Sequence, residues 1–222
     1  MTNIAIDGPA GSGKSTVARM LARKLEYVYI DTGAMYRALT LKAIENNVDM
    51  NNEEAMANLA NNTVIELRPG LLPGDSQDLY LDKRKVTEEI RRPDVSGHVS
   101  LVAQHRGVRE KLLTFQQEIA LQNNVVMDGR DIGTNVLPNA EYKFFVDADI
   151  EVRAERRHVE LTAKGYDITR DAVREMLLER DHQDSTREFS PLLKAADAIL
   201  IDTTSLTPEE VVNTMYSIIK GA

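Results

Sequence analysis

The chain contains no cysteine. That excludes disulfides and thiolate metal sites, and it suits a reducing compartment. No apolar run approaches the 18 or more residues of a membrane span, and Met1-Thr2-Asn3 leads directly into an apolar segment with no charged leader. The expectation is a cytoplasmic protein that does not engage a membrane. Cationic excess is also missing, because the formal net charge is -8. A surface built for a long polyanion needs many Lys and Arg contacts, so nucleic acid is not expected as a partner. His98, His105, His158 and His182 have no metal-ligand spacing and read as surface or core histidines. There is no internal repeat, no low-complexity tract and no guanine-reading N-K-x-D motif.

At 222 residues the chain can bury about 70% of its unfolded surface. It needs no covalent staples. Five short apolar runs rich in β-branched and aromatic residues alternate with helical patterns, which is the signature of a parallel α/β sheet. They are 3–6, 27–30, 125–127, 143–146 and 198–201. Each ends at or before an aspartate: Asp7, Asp31, Asp128, Asp147 and Asp202. Ligands of open α/β sheets bind at the carboxyl ends of the strands. Asp147 and Asp202 read better as caps of the following turn.

The first run is followed by Gly8-Pro9-Ala10-Gly11-Ser12-Gly13-Lys14-Ser15 and then by Val17, Ala18, Leu21, Ala22 and Leu25 at helical spacing. Strand, glycine loop and helix are the context of a phosphate-binding P-loop. Glycines let the backbone close around phosphate oxygens, and the helix adds the positive end of its dipole. Candidate ATP ligands are Gly8, Ala10, Gly11, Ser12, Gly13, Lys14, Ser15 and Thr16. Lys14 is placed to reach the β- and γ-phosphates, and Ser15 to ligate Mg²⁺. At the far end Thr207, Pro208 and Glu210 read as N-cap, first-turn proline and capping-box glutamate of a last helix to about Lys220.

Two further motifs point to a second anion. In Asp31-Thr32-Gly33-Ala34-Met35-Tyr36-Arg37 a strand turns into a helix carrying Tyr36 and Arg37 in its first turn, and a helix N-terminus plus an arginine is an anion site. In Asp128-Gly129-Arg130-Asp131-Ile132-Gly133 a strand delivers an aspartate suited to holding Mg²⁺ through water, with Arg130 beside it. Metal candidates are therefore Ser15 and Asp128.

Two stretches depart from the α/β rhythm. Residues 63–93 read as a small antiparallel insert, with strands 64–67 and 78–81 separated by a turn at 69–74. Residues 149–187 carry Arg153, Arg156, Arg157, Arg170, Arg174, Arg180 and Arg187 among many acids, the pattern of a solvated helix pair. Arg153 and Arg157 are four apart and share a helical face, so the pair is expected to close on transferred phosphate as a lid.

Together, G-P-A-G-S-G-K-S, D-T-G-A-M-Y-R, the insert, V-R-E at 108–110, D-G-R-D-I-G-T at 128–134 and R-D-x-x-D-x-x-R at 180–187 resemble the bacterial cytidylate kinases from end to end. The resemblance implies a P-loop NTPase three-layer α/β fold with a five-stranded parallel sheet, a small antiparallel monophosphate-binding insert and a helical lid. It implies a single domain, with core 1–62, 94–148 and 188–222, insert 63–93 and lid 149–187. ATP and Mg²⁺ are the implied cofactors, CMP and dCMP the small-molecule partners, and a monomer is expected. Arg37 and Arg130 would grip the acceptor phosphate, with Tyr36 close by. Ser100, Arg109 and Asp131 would read the cytosine edge, and Thr32, Asp184 and Arg187 would contact the sugar side. Cytosine offers an amino donor beside ring acceptors, so a carboxylate and a serine can receive the former while an arginine donates to the latter. The candidate catalytic set is Lys14, Arg37, Arg130, Arg153 and Arg157.

Overall fold

Alternation along the strands decides the layering of the computed structural model, which describes residues 1–68 and 77–221. Strand β1 (Asn3–Asp7) sends Ile4 and Ile6 to one face and Ala5 to the other. Strand β6 (Val125–Gly129) does the same with Val126 against Val125 and Met127. Both faces are therefore apolar, and each demands a helical cover. Helices α1 (Lys14–Leu25) and α8 (Pro208–Lys220) cover one face through Val17, Leu21, Val211 and Met215. Helices α2 (Thr32–Glu45), α3 (Glu53–Asn61), α4 (Pro93–Ala103) and α5 (Arg106–Gln122) cover the other through Met35, Leu39, Met56, Val102 and Leu112. Each fully buried Leu or Ile contributes about 1.5–3 kcal/mol.

The sheet is completed by β2 (Val28–Asp31), β7 (Tyr142–Asp147) and β8 (Ile199–Asp202). Its order is β2-β6-β1-β7-β8, all parallel, as expected of five strands alternating with helices. Register places Asp31 opposite Asp128 and Asp7 opposite Gly129, so three of the five rim aspartates meet at one sheet edge. Asp147 and Asp202 behave as caps, accepting from the amides of Ala148 and Thr204.

The insert has three strands, one more than expected: β3 (Ile65–Arg68), β4 (Asp78–Leu81) and β5 (Arg84–Lys85), all antiparallel. A two-residue polar strand leaves no periodic signal. The turn expected at 69–74 lies outside the described residues. Leu79, Leu81, Val86 and Ile90 pack on Ala34, Ala38 and Leu41 of α2. The insert thus braces the helix that carries Tyr36 and Arg37.

The expected helix pair is α6 (Ile150–Ala163) and α7 (Arg170–Thr186). Ala154, Leu161, Val173 and Leu177 form a small core that includes Ala10 of the P-loop. The pair is seated directly on the loop. Among the described residues no helix is long and apolar enough to cross a membrane.

Candidate active site

Gly8 follows β1 with φ +152°, and a Cβ there would sit 2.0 Å from the Val146 carbonyl oxygen. Only glycine lets the chain turn so close to β7. Gly13, at φ 87°, is the N-cap of α1 and offers no side-chain acceptor. First-turn amides of α1 are left to face an anion. Ala10, Gly11, Gly13, Lys14, Ser15 and Thr16 line a cleft of about 660 Å³. Gly8 and Ser12 do not; they shape the loop from behind, with the Ser12 hydroxyl donating to the Pro9 carbonyl at 3.1 Å. The Ala10 amide donates to Asp181 at 3.1 Å, so it braces the loop against α7.

The cleft is lined by Lys14, Arg19, Arg37, Arg91, Arg109, Arg130, Arg156, Arg157, Lys164, Arg180 and Arg187, against Asp31, Asp128, Asp131, Glu160 and Asp184. In a chain of net charge -8 this is a strong local inversion. Nε of Arg37, Arg109 and Arg180 and Nη2 of Arg187 are buried without a hydrogen-bond partner. Buried donors of this kind cost free energy unless an acceptor meets them.

Charge states carry the same imbalance. Burial and the charge of Arg130 bring Lys14 down to about 7, with Asp128 opposing. Burial and Arg130 bring Arg180 down to about 10, with further repulsion from Arg37 and Arg157. Asp128 is pushed up to about 6 by burial and by Asp31, although Lys14 and hydrogen bonds from Ser15 and Tyr29 oppose this. Crowded cations and a buried carboxylate with a raised pKa, Asp128, together suit a polyanion accompanied by a cation.

At the P-loop end, Lys14 Nζ donates to the Pro9 carbonyl at 2.8 Å. Ser15 Oγ donates to Asp128 Oδ2 at 2.7 Å, which places both expected metal ligands together. Thr32 Oγ1 donates to the Asp128 carbonyl at 2.8 Å.

Helix α2 corrects one expectation. Its N-terminus is capped by the carboxylate of Asp31, which accepts from the Ala34 amide at 3.0 Å and from Arg37 at 2.7 Å. A carboxylate already occupies the helix end, so of the anion site expected at α2 only Arg37 is left facing the cleft. For Asp31 burial acts upward, and Arg37 and Arg91 outweigh it, so the carboxyl lies below its ordinary range.

The other end of the cleft is one connected network. Arg109 Nη2 meets Asp131 at 2.5 Å while its Nη1 donates to the Ala103 carbonyl at 3.0 Å. Arg187 stands 3.6 Å from Asp131 and 3.7 Å from Asp184. Asp184 accepts from Arg130 at 2.8 Å and from Ser100 at 3.2 Å. The Arg109 guanidinium lies 5.4 Å from the Tyr36 ring centre. Burial pushes the Tyr36 hydroxyl up to about 12. For Asp184 burial is outweighed by Arg130, Arg180 and Arg187, and its carboxyl is held below the ordinary range. Every residue expected to bind the acceptor, from Thr32 through Arg187, lines this cleft.

Arg153 does not. Its Nε donates to the Ala148 carbonyl and its Nη1 to the Ala10 carbonyl, each at 3.0 Å, and it pairs with Asp181. It stands under the P-loop as a strut, so the expected phosphate-closing pair is divided. Arg157, one turn along α6, lines the cleft and pairs with Glu160 at 2.6 Å. A turn of 5.4 Å is enough to separate the loop's underside from the open cleft.

Arg180 was not expected as a ligand, although positions 180 and 184 share one face of α7 at i, i+4 spacing and Arg187 is its C-cap. Arg156 was likewise missed. It donates to the Thr203 hydroxyl at 3.0 Å and carbonyl at 2.6 Å, beside Leu206, Pro208 and Val211 on the cleft wall. His105 is a buried strut, its ring nitrogens 2.8 Å from Glu53 and 2.7 Å from the Met50 carbonyl; His98 is exposed.

Among solved structures, an uncharacterized protein from Eubacterium ventriosum superposes with a TM-score of 0.54 at 13% identity, covering 100% of both chains. Shikimate kinase from Bacteroides thetaiotaomicron superposes at 0.50 and 13%, covering 99% of this chain and 98% of that one. At such identity these show the fold alone. The cytidylate kinase of Bacillus cytotoxicus is 52% identical over 220 residues, covering 99% of this chain and 96% of its own. That of Bacillus cereus strain B4264 is 53% identical over 219 residues, with the same coverage. A family model described as cytidylate kinase matches residues 4–221. The chain belongs to the cytidylate kinase family.

Proposed function

We propose that the protein transfers the γ-phosphoryl group of ATP to CMP, and to dCMP, giving ADP and the nucleoside diphosphate. One observation carries this reading. A P-loop with Lys14 and a cluster of Arg37, Arg130, Arg157 and Arg180 share a cleft that ends in the Arg109–Asp131 pair. Two anions can meet there, and the base of one can be read.

The acceptor is a phosphate monoester with a second pKa near 6, so its oxygen is already a nucleophile at neutral pH. That oxygen forms the new bond to the γ-phosphorus. The bond to the β–γ bridging oxygen breaks, and its electron pair leaves with ADP. No general base is needed, and catalysis consists of aligning two anions and neutralising their repulsion. Lys14 acts at the donor phosphates, Arg37 and Arg130 at the acceptor, and Arg157 and Arg180 between them. Asp131 and Ser100 receive the cytosine amino group, while Arg109 donates to the ring acceptors. Asp184 and Arg187 face the sugar.

Ser15 and Asp128 fit Mg²⁺. They are two hard oxygen donors 2.7 Å apart, one a buried carboxylate. Few protein ligands are what Mg²⁺ takes when it shares phosphates and keeps its waters. A divalent ion held by these two residues would supply charge neutralisation for the transferred phosphoryl group.

ADP release measured with CMP, dCMP, UMP, AMP and shikimate tests the proposal. CMP and dCMP should be the efficient acceptors, because uracil would turn a carbonyl toward Asp131. Faster turnover with AMP or with the hydroxyl acceptor would overturn the assignment of the acceptor end.

A further inference from the structure

Strand β2 delivers one side chain to the cleft that no part of the reaction yet uses. Tyr29 is 6% exposed, and its ring lies in the core between sheet and helix with Val17, Ala18, Leu21 and Val126. Its hydroxyl leaves that core and donates to Asp128 Oδ1 at 2.9 Å. Ser15 donates to the other carboxylate oxygen at 2.7 Å. Both oxygens of Asp128 are thus held, one from the P-loop helix and one from β2.

The two donors are not equivalent. Ser15 sits in the first turn of α1, at the end that meets the nucleotide, so its hydroxyl must turn its lone pairs outward when it ligates a cation. Tyr29 is anchored by its ring and has no such second task, and a phenol at neutral pH remains a donor. We propose that Tyr29 is a positioning residue for the metal-holding carboxylate. It fixes Asp128 Oδ1 so that Oδ2 and the Ser15 hydroxyl present one preset pair of oxygens to the divalent cation accompanying the nucleotide. Partners outside the ligand set commonly orient metal-holding carboxylates in this way. The inference rests on the assignment of Ser15 and Asp128 to Mg²⁺.

The test uses the full chain with ADP and no acceptor, so that nothing turns over. Mn²⁺ is titrated into the protein–ADP mixture and free Mn²⁺ is read by electron paramagnetic resonance, for wild type, Tyr29→Phe and Asp128→Asn. The phenylalanine keeps the ring packing and removes only the hydroxyl. Tyr29→Phe is expected to weaken Mn²⁺ binding by roughly 10-fold, at the low end of the range for such outer partners. ADP affinity without metal and the KM for CMP should stay within about 2-fold. If Asp128→Asn weakens Mn²⁺ binding while Tyr29→Phe leaves it unchanged, the metal assignment stands and the role of Tyr29 is refuted. If neither variant changes it, the metal assignment fails and the inference fails with it. A parallel loss of metal-free ADP affinity in Tyr29→Phe makes the hydroxyl a general structural element, which also overturns the proposal.

Discussion

Removing Arg180 should make the protein more stable and less active. Its guanidinium lies among Arg130, Arg37 and Arg157, its Nε is buried without an acceptor, and burial with Arg130 lowers its pKa from 12.5 to about 10. At about 1.4 kcal/mol per pH unit that displacement corresponds to roughly 3 kcal/mol against the charged form. The side chain is half-buried and faces the cleft, so water screens part of this, and about 1.5 kcal/mol is a fair expectation. For a chain of this length 1 kcal/mol moves the melting temperature by about 2–4 °C. Arg180→Met should therefore melt roughly 3–6 °C above wild type by calorimetry without nucleotide, while kcat falls by about 10²-fold or more, as when one transition-state donor is lost. The opposed signs are the test. A variant that melts lower than wild type and keeps its turnover would show that Arg180 serves the fold, and the anion-site reasoning would be wrong at this residue.

The remaining predictions separate side chains that look alike in sequence. Lys14→Met should lower kcat by about 10²-fold or more and, like Arg180→Met, melt above wild type, because burial and Arg130 bring the folded lysine down to about 7; near-normal turnover would remove the lysine from the donor site. Arg153→Met should cost about 2 kcal/mol or more in urea unfolding, because the Ala10 and Ala148 carbonyls and Asp181 lose a shared donor. Arg157→Met should leave stability within about 0.5 kcal/mol and reduce turnover, and the reverse pattern would restore Arg153 to the phosphates. Asp131→Asn should cut kcat/KM for CMP by about 10²-fold and narrow the preference over UMP, since the amide can face a carbonyl and Arg109 loses its ion pair. Asp7 sets a pH dependence. Burial raises its folded pKa from 3.8 to about 7, so the folded state holds the proton more tightly than the unfolded chain, and its contribution to stability is lost as pH rises from about 4 to about 7. The unfolding free energy of wild type relative to Asp7→Asn should therefore fall by up to about 3 kcal/mol between pH 4.5 and 8. A flat difference would refute it.

Much of the fold was legible because β1, β6 and the P-loop obey strong local rules. Strands buried on both faces leave continuous apolar runs, and a loop that wraps phosphate requires glycine at positions such as Gly8, where a Cβ would strike the Val146 carbonyl. The capping box of α8 was equally readable, and Thr207 and Glu210 form it. What stayed hidden was decided by tertiary contact. Arg153 and Arg157 obey the same i, i+4 rule, yet the loop lies against one and the cleft against the other. The helix-end half of the anion site expected at α2 is filled because Asp31, read as a rim carboxylate, is also the cap there, while Arg37 still lines the cleft. Arg180 lies in a charged stretch where hydrophobic periodicity is silent. Its signal was geometric, the face it shares with Asp184.

Asp7 shows why the two ends of the cleft form one machine. Its carboxylate, one residue before the P-loop, accepts the amides of Ile132 and Gly133, each at 2.7 Å. Those amides open the π-helical turn Ile132–Val136 that directly follows Asp131 and carries Asn135, whose amide donates to Asp131 at 3.2 Å. On the proposed assignment, the residue that starts the donor cradle therefore holds the turn that aims the acceptor reader. An in-line transfer tolerates little error in the angle between its two anions. Two sites on separate loops would each add their own freedom to that angle. Here neighbouring strands β1 and β6 set it once, and a single buried carboxylate ties one loop to the other.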